Sequence, residues 1–300
     1  MNISFSTNNS QYCRFSIDFL KYRGNFINYL TYTQDFLVAG SLMMFAASYS
    51  IKKKLVESGS IFQTSSDTEI ILQLVARSKK KKIINKLIDT LHQIKGAYSL
   101  VIMTNKKLIG VRDPFGIRPL VLGDKNGSPV LASETCALDM IGAKYIRDIE
   151  NGEIIVITEN GMESIKPFKK IQERPCIFER IYFASPDSIV GNKTVYTYRK
   201  ALGEHLAIEN NVIADVVVPI PDSGVSAAIG FSQKSKIPFE LGIIRSHYVG
   251  RTFIEPSQTI RQFGVKLKHS VNRSCIENKK VILIDDSIVR GTTLEKSILT

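Results

Sequence analysis

The sequence contains no run of about eighteen apolar residues, the length a helix needs to cross a bilayer. Its nearest approach, residues 36–48 with the core Leu42-Met43-Met44-Phe45-Ala46-Ala47, is too short. The N-terminus also lacks a charged segment followed by an unbroken apolar stretch and a small-residue cleavage site, so neither a membrane partner nor export is expected. Cysteine is scarce. Cys13, Cys136, Cys176 and Cys275 lie far apart and form no C-x-x-C pair, and only His269 stands near any of them. That spacing indicates neither a zinc site nor a disulfide framework, and makes the cytoplasm the expected setting. Acidic side chains are in deficit, 28 against 40 basic ones, for a net charge of +12 and a pI of about 9.4. A surplus of that size suits nucleic acid, an anionic membrane face or a polyphosphate substrate. Much of it falls in two lysine runs, 52–54 and 79–82, with no aromatic residues interleaved as on a base-stacking platform. These runs read as solvated faces of amphipathic helices, and no nucleic-acid partner is expected.

What is present is otherwise ordinary. The chain of 300 residues, 44% apolar and 23% charged, suits a globular protein of two domains at about 150 residues each. Residues 1 to about 50 show no sustained period; residues 26–32 suit an edge strand or a loosely formed segment. Residues 50–57 have helical spacing, with Ile51, Leu55 and Val56 on one side and lysines on the other, and Gly59 placed to end the helix. Residues 60–63 suit a short strand. Thr64-Ser65-Ser66-Asp67-Thr68-Glu69 then supplies N-caps and early acids for further helices over 70–77 and 83–94. The period changes at Gly96. Strands at 97–103 and 108–113 flank an Asn105-Lys106-Lys107 turn, and further strands are expected at 120–122, 130–132 and 153–158. The first region, residues 1–165, is therefore α+β with antiparallel sheets.

The second region, residues 166–300, alternates strands and helices. A helix is expected over 194–209 with Val195, Tyr198, Leu202 and Leu206 on one face. Strands are expected at 215–221 and 237–244, with a helix through Ile229 between them. The last strand, Val281-Ile282-Leu283-Ile284, is four apolar residues of which three are β-branched, as in a buried parallel strand. This alternation argues a parallel α/β sheet with ligands at the carboxyl ends of its strands, where Asp222-Ser223-Gly224 and residues 285–293 both lie. After the last strand come Asp285 and Asp286, then Ser287, Arg290, Gly291, Thr292 and Thr293. Hydroxyls, a cation and a glycine free to take φ > 0, opening a helix, make a phosphate cradle. Two carboxylates beside a phosphate make sense only if they face vicinal ribose hydroxyls or a hard cation, so the implied ligand is a ribose phosphate. Residues 245–268 have mixed polarity and no clean period, and read as a long functional loop. His247 within it reads as a hydrogen-bonding residue rather than a base.

The string V-I-L-I-D-D-S-I-V-R-G-T-T (281–293) resembles the phosphoribosyl-pyrophosphate (PRPP) motif of type I phosphoribosyltransferases. The resemblance widens with G-S-I-F-Q-T-S-S-D-T-E (59–69), K-G-A-Y-S-L-V (95–101), R-D-P-F-G-I-R-P-L (112–120), A-S-E-T-C-A-L (132–138) and C-I-F-E-R-I-Y-F-A-S-P-D-S (176–188). Over about residues 48–297 the chain resembles the amidophosphoribosyltransferase family, in which an N-terminal-nucleophile glutaminase is joined to a type I phosphoribosyltransferase. The resemblance implies an incomplete glutaminase-like region over 1–165, with 1–47 not alignable, and a phosphoribosyltransferase domain over 166–300 lacking its C-terminal part. It implies the first step of purine synthesis, in which PRPP, glutamine and water give 5-phosphoribosylamine, glutamate and pyrophosphate. Glutamine or ammonia and PRPP are the implied substrates, one Mg²⁺ per subunit the implied cofactor, and a homo-oligomer the implied assembly. By the same resemblance Asp67 holds the glutamine amino group, a role compatible with helix capping. Asp285, Asp286, Ser287, Arg290, Gly291, Thr292 and Thr293 bind PRPP, and Ser223, Asp285 and Asp286 hold the Mg²⁺. Residues 245–268 become the loop that closes over PRPP, with Arg245, Tyr248 and Arg251 as its candidate catalytic residues and Arg261 as a further cation for the pyrophosphate.

The departures matter as much. The family's exposed N-terminal cysteine and its H-R-G-Q, R-Y-S-T and H-N-G-N segments are absent: Tyr22-Arg23-Gly24-Asn25 is a poor echo of H-R-G-Q, and residues 41–46 stand where H-N-G-N is expected. Cys13 is internal, without a free α-amine as base, and reads as a small buried hydrophobe, so the glutaminase half is expected to be inert. Ala184-Ser185-Pro186 lacks the family's arginine. Some members carry a four-iron cluster with one cysteine placed like Cys176; its partners would fall beyond Thr300, so no cluster is expected. Two rival readings remain: an inactive remnant that at most binds PRPP, and a non-catalytic PRPP-responsive regulator, which would need a DNA-binding segment that the sequence does not show.

Overall fold

The computed structural model describes residues 37–45, 48–64, 66, 68–246 and 269–287. It divides into two units, Met1–Cys176 and Ile177–Thr300. Residues 166–176, grouped with the second region in the sequence reading, hydrogen-bond into the first unit: Arg174 N–H donates to the Phe115 carbonyl at 2.7 Å and Cys176 N–H to that of Ile117 at 3.4 Å.

In the first unit, helices α1 (Ser48–Glu57), α2 (Thr68–Arg77) and α3 (Ile83–Leu91) cover one face of a five-stranded antiparallel sheet. Its order is β1-β2-β3-β7-β8, where β1 is Leu37–Phe45, β2 Gly96–Met103, β3 Leu108–Arg112, β7 Ile154–Thr158 and β8 Gly161–Ile165. A second sheet, β5-β4-β6, is built from β4 (Val121–Lys125), β5 (Ser128–Ala132) and β6 (Lys144–Asp148). The period-2 pattern sends Leu100, Ile102, Val111 and Val156 to the helices, while Val101, Leu108, Ile155 and Ile157 meet Leu122 and Leu131 of the second sheet and Leu120 just before it. Helix α4 (Thr135–Met140) closes the far side. Gly110 is required between the sheets, because a Cβ there would lie 2.8 Å from Leu131 and 2.9 Å from Ile155.

Several expectations need correction. Residues 37–45, part of the stretch that came nearest to a membrane span, form β1, paired from Leu37↔Met103 to Phe45↔Gly96. No helix among the described residues is long and apolar enough to cross a membrane. Residues 60–63 form no strand, because the N–H groups of Gln63 and Thr64 bend onto the Glu69 carboxylate at 2.9 and 2.8 Å. Val56 is exposed while Leu55 is buried. Strands β6 and β8 were not foreseen: β6 has no buried residue and β8 is mostly exposed, so neither carries an apolar signature.

In the second unit, a short antiparallel pair, β9 (Ile189–Val190) and β10 (Lys193–Thr194), leads into α5 (Val195–Glu209), which is capped by Thr194, whose hydroxyl accepts the Thr197 N–H at 3.2 Å. It packs on α6 (Val225–Ser235) through glycines: a Cβ on Gly203 would lie 1.8 Å from the Ala227 carbonyl oxygen, and one on Gly230 1.9 Å from that of Lys200. That approach turns Val195, Arg199 and Gly203 inward. Leu202 and Leu206, expected on the buried face, are 40% and 39% exposed. Buried Arg199 is satisfied by the carbonyls of Arg180 and Ala184, both at 2.9 Å. Behind the helices, β11 (Val216–Pro219) runs parallel to β14 (Val281–Ile284), from Val216↔Val281 to Pro219↔Ile284. The strand expected over 237–244 is shorter than foreseen. Only β12 (Ile243–Arg245) is regular and pairs with β13 (His269–Val271), while Phe239 makes an isolated parallel bridge to Val217 on the other side of β11.

Candidate functional site

The in-phase register of β11 and β14 decides where the chemistry gathers. Because Pro219 pairs with Ile284, the segments that follow the two strands leave the sheet side by side. The Ile220 N–H donates to the Ile284 carbonyl at 2.8 Å, and the Gly224 N–H to the Ile220 carbonyl at 2.9 Å. Gly224 is required here, since a Cβ would lie 2.3 Å from the Ile284 oxygen. The Ser223 hydroxyl hydrogen-bonds the Asp285 carboxylate, so the two loops touch through side chains as well.

The acidic pair is held tightly but left short of partners. Asp285 Oδ1 accepts the Asp286 N–H at 2.8 Å, and Asp286 Oδ1 accepts the Ser287 hydroxyl at 2.7 Å. Asp286 Oδ2 is buried with no hydrogen-bond partner among the described residues. Burial pushes the Asp285 carboxyl above its ordinary pKa and the neighbouring Asp286 charge adds to this, against the Asp286 N–H and the Ser223 hydroxyl. A buried carboxylate oxygen without a donor is costly unless a cation or a hydroxyl completes it. Two carboxylates and a hydroxyl form an all-oxygen set of the kind a hard cation takes. Among the described residues no three His, Cys, Asp or Glu side chains could hold a metal by themselves.

On the other side of β11, Arg245 forms an ion pair through Nη1 with Asp222 Oδ2. The structure thus brings Ser223, Asp285, Asp286 and Ser287 together where β11 and β14 end, and sets Arg245 against Asp222 of the loop after β11. The sequence placed Asp222-Ser223-Gly224 at a strand end without giving Asp222 a partner; the structure gives it Arg245. Asp67, Tyr248, Arg251, Arg261, Arg290, Gly291, Thr292 and Thr293, with Cys13 and His247, lie outside the described residues.

In the first unit, the string at 112–120 turns out to be a brace. Buried Asp113 accepts the N–H groups of Phe115, Ile117 and Arg118 at 3.0, 3.1 and 3.1 Å. The Arg112 guanidinium donates to the carbonyls of Arg118, Ile149 and Gly116 at 2.9, 2.7 and 3.3 Å. Gly116 sits at φ +64°, where a side chain would be strained and would collide with Asn151.

Residues 44–140 match the model of the glutamine amidotransferase domain. An amidophosphoribosyltransferase of Rhizobium etli is 57% identical over 254 residues, 83% of this chain and 51% of that protein. The Bacillus subtilis enzyme of that name is 47% identical over 243 residues, 81% of this chain and 51% of that one. The solved B. subtilis glutamine PRPP amidotransferase, complexed with ADP and GMP, superposes with a TM-score of 0.78 at 44% identity, over 87% of this chain and 57% of that one. This chain is a homologue of the amidophosphoribosyltransferases. It spans about half the length of the curated relatives it matches. An Arabidopsis thaliana amidophosphoribosyltransferase described as chloroplastic is 49% identical over 94% of this chain and 47% of its own length. The α+β first unit accords with the glutamine amidotransferase match.

Proposed function

We propose that this chain is the PRPP-handling part of an amidophosphoribosyltransferase, in a cytoplasmic purine pathway, with its second unit a partial type I phosphoribosyltransferase domain. The reaction is displacement of pyrophosphate from PRPP by ammonia, giving 5-phosphoribosylamine. The observation that carries this reading is the in-phase ending of β11 and β14, with Ser223 bonded to Asp285 and Asp286 Oδ2 left without a donor among the described residues. In this reading the two aspartates take the ribose hydroxyls, Ser287, Arg290, Gly291, Thr292 and Thr293 take the 5-phosphate, and Arg245 with Arg251 takes the departing pyrophosphate. Tyr248 belongs to the same loop, whose closure would keep water from an oxocarbenium-like centre. Mg²⁺, held by Ser223, Asp285 and Asp286 through oxygen and water, would offset the charge of the polyphosphate. A homo-oligomer, as in the family, is part of the proposal.

For glutamine, Asp67 is the proposed contact to the amino group, but the nucleophile and oxyanion segments have no counterpart in residues 1–47. Residues 41–46, where the oxyanion segment is expected, read S-L-M-M-F-A and offer neither histidine nor asparagine. We therefore assign the amination to ammonia rather than to glutamine hydrolysed by this chain.

The test is calorimetry with PRPP, Mg²⁺ and phosphate on wild type and on Asp285→Ala/Asp286→Ala. Charge-assisted hydrogen bonds are worth roughly 1.5–3 kcal/mol each, and each 1.4 kcal/mol is about a factor of ten. PRPP affinity should fall at least about a hundredfold, while phosphate binds as before or slightly better because two negative charges are gone. Wild-type-like PRPP binding by the double variant would mean that the acidic pair only ends a strand.

A further inference from the structure

The loop after β11 splits its two polar side chains between two neighbours: Ser223 holds Asp285 on the β14 side, and Asp222 holds Arg245 on the other. The chain reaches Arg245 there because Val217 N–H donates to the Pro238 carbonyl at 2.8 Å and Glu240 N–H to the Val217 carbonyl at 3.0 Å, laying residues 238–240 along β11. The Arg245 guanidinium is poorly used in this arrangement. It meets Asp222 through Nη1 alone, and its Nε is buried with no partner among the described residues. A guanidinium built to clamp an anion presents its nitrogens as a fork, and among the described residues this one is engaged on one prong. Its partner is 64% exposed at the side chain, so a dissolved anion can displace it without first desolvating it.

We propose that Asp222 is a positioning residue that parks Arg245 in the resting protein, so that a diphosphate-bearing ligand must displace the Asp222 carboxylate to engage the guanidinium. The proposal rests on the PRPP reading above and adds the regulation of that site. An approaching diphosphate meets three carboxylates, Asp222, Asp285 and Asp286. The cation among them is already neutralised by the first. Removing the Asp222 charge frees Arg245 for the ligand, so this acidic residue at a phosphate site weakens binding of free diphosphate.

Calorimetry on the full chain tests this, with inorganic diphosphate plus Mg²⁺ and PRPP plus Mg²⁺ as probes, on wild type, Asp222→Asn, Asp222→Glu, Arg245→Gln and Asp222→Asn/Arg245→Gln. A partly exposed ion pair is weak, so Asp222→Asn should bind diphosphate about three- to fivefold more tightly, a change of up to about 1 kcal/mol. Asp222→Glu restores the wild-type affinity. In the Arg245→Gln background, Asp222→Asn should change affinity less than about twofold, because no cation is left to release. Equal tightening in both backgrounds would mean simple removal of a repulsive charge and would overturn the parking role, as would unchanged or weaker binding by Asp222→Asn. Wild-type binding without that tightening sinks the parking role alone. Binding by neither wild type nor Asp222→Asn sinks it together with the PRPP reading.

Discussion

Replacing Glu153 by Gln should expose how the first unit withstands acid. The side chain is fully buried, and its carboxylate takes both guanidinium ends of Arg147, at 2.8 and 2.7 Å, the Glu150 N–H at 2.7 Å and the Ser164 hydroxyl at 2.7 Å. Burial alone would raise its pKa, but Arg147, the Glu150 N–H and Ser164 outweigh it and hold the group at about 2, against 4.5 for an ordinary glutamate. A carboxylate depressed in the folded state adds stability that is complete above the unfolded value and is lost as pH falls toward the folded one. At about 1.4 kcal/mol per pKa unit, that contribution is at most about 3 kcal/mol, present at pH 7 and lost between about pH 5 and pH 2. Glutamine keeps the shape but not the charge, and Arg147, with 37% of its side chain exposed, can turn to water. The variant should therefore be about 2–3 kcal/mol less stable at pH 7, with the gap to wild type closing as pH drops toward 2. Urea unfolding followed by circular dichroism at a series of pH values measures that gap. Parallel stability curves across pH 7 to 2.5 would refute the argument, since they would mean that Glu153 has the same pKa folded and unfolded.

Gly203→Ala sets a helix-propensity gain of up to about 1 kcal/mol against a Cβ that cannot fit beside the Ala227 carbonyl, and a net loss of at least about 2 kcal/mol is expected in urea melts of the second unit. A neutral or stabilising result would mean that α5 and α6 are not in backbone contact. Purified protein should release no glutamate from glutamine, with or without PRPP; activity that disappears in Cys13→Ala would overturn the reading of the N-terminal residues.

Several elements were legible because their signal is local. The hairpins of the first unit show as alternating apolar residues around a turn, and β11 and β14 as short unbroken apolar runs, rich in β-branched residues, with no polar face to display. The pairing of the two aspartates with a serine-bearing loop was readable for the same reason: ligands gather where parallel strands end. Tertiary structure decided the rest. Strand β1 exists because β2 offers it a ladder, a partner that its own sequence does not reveal. The apolar spacing of α5 pointed to Leu202 and Leu206, yet the helix buries Gly203, because backbone contact with α6 brings more atoms together than two leucines facing water would. Asp222 and Arg245 are far apart in sequence and meet only because residues 238–240 lie along β11. Strand identity follows from neighbouring residues, but the partner of a charge or the buried face of a helix is set by whatever segment the fold brings against it.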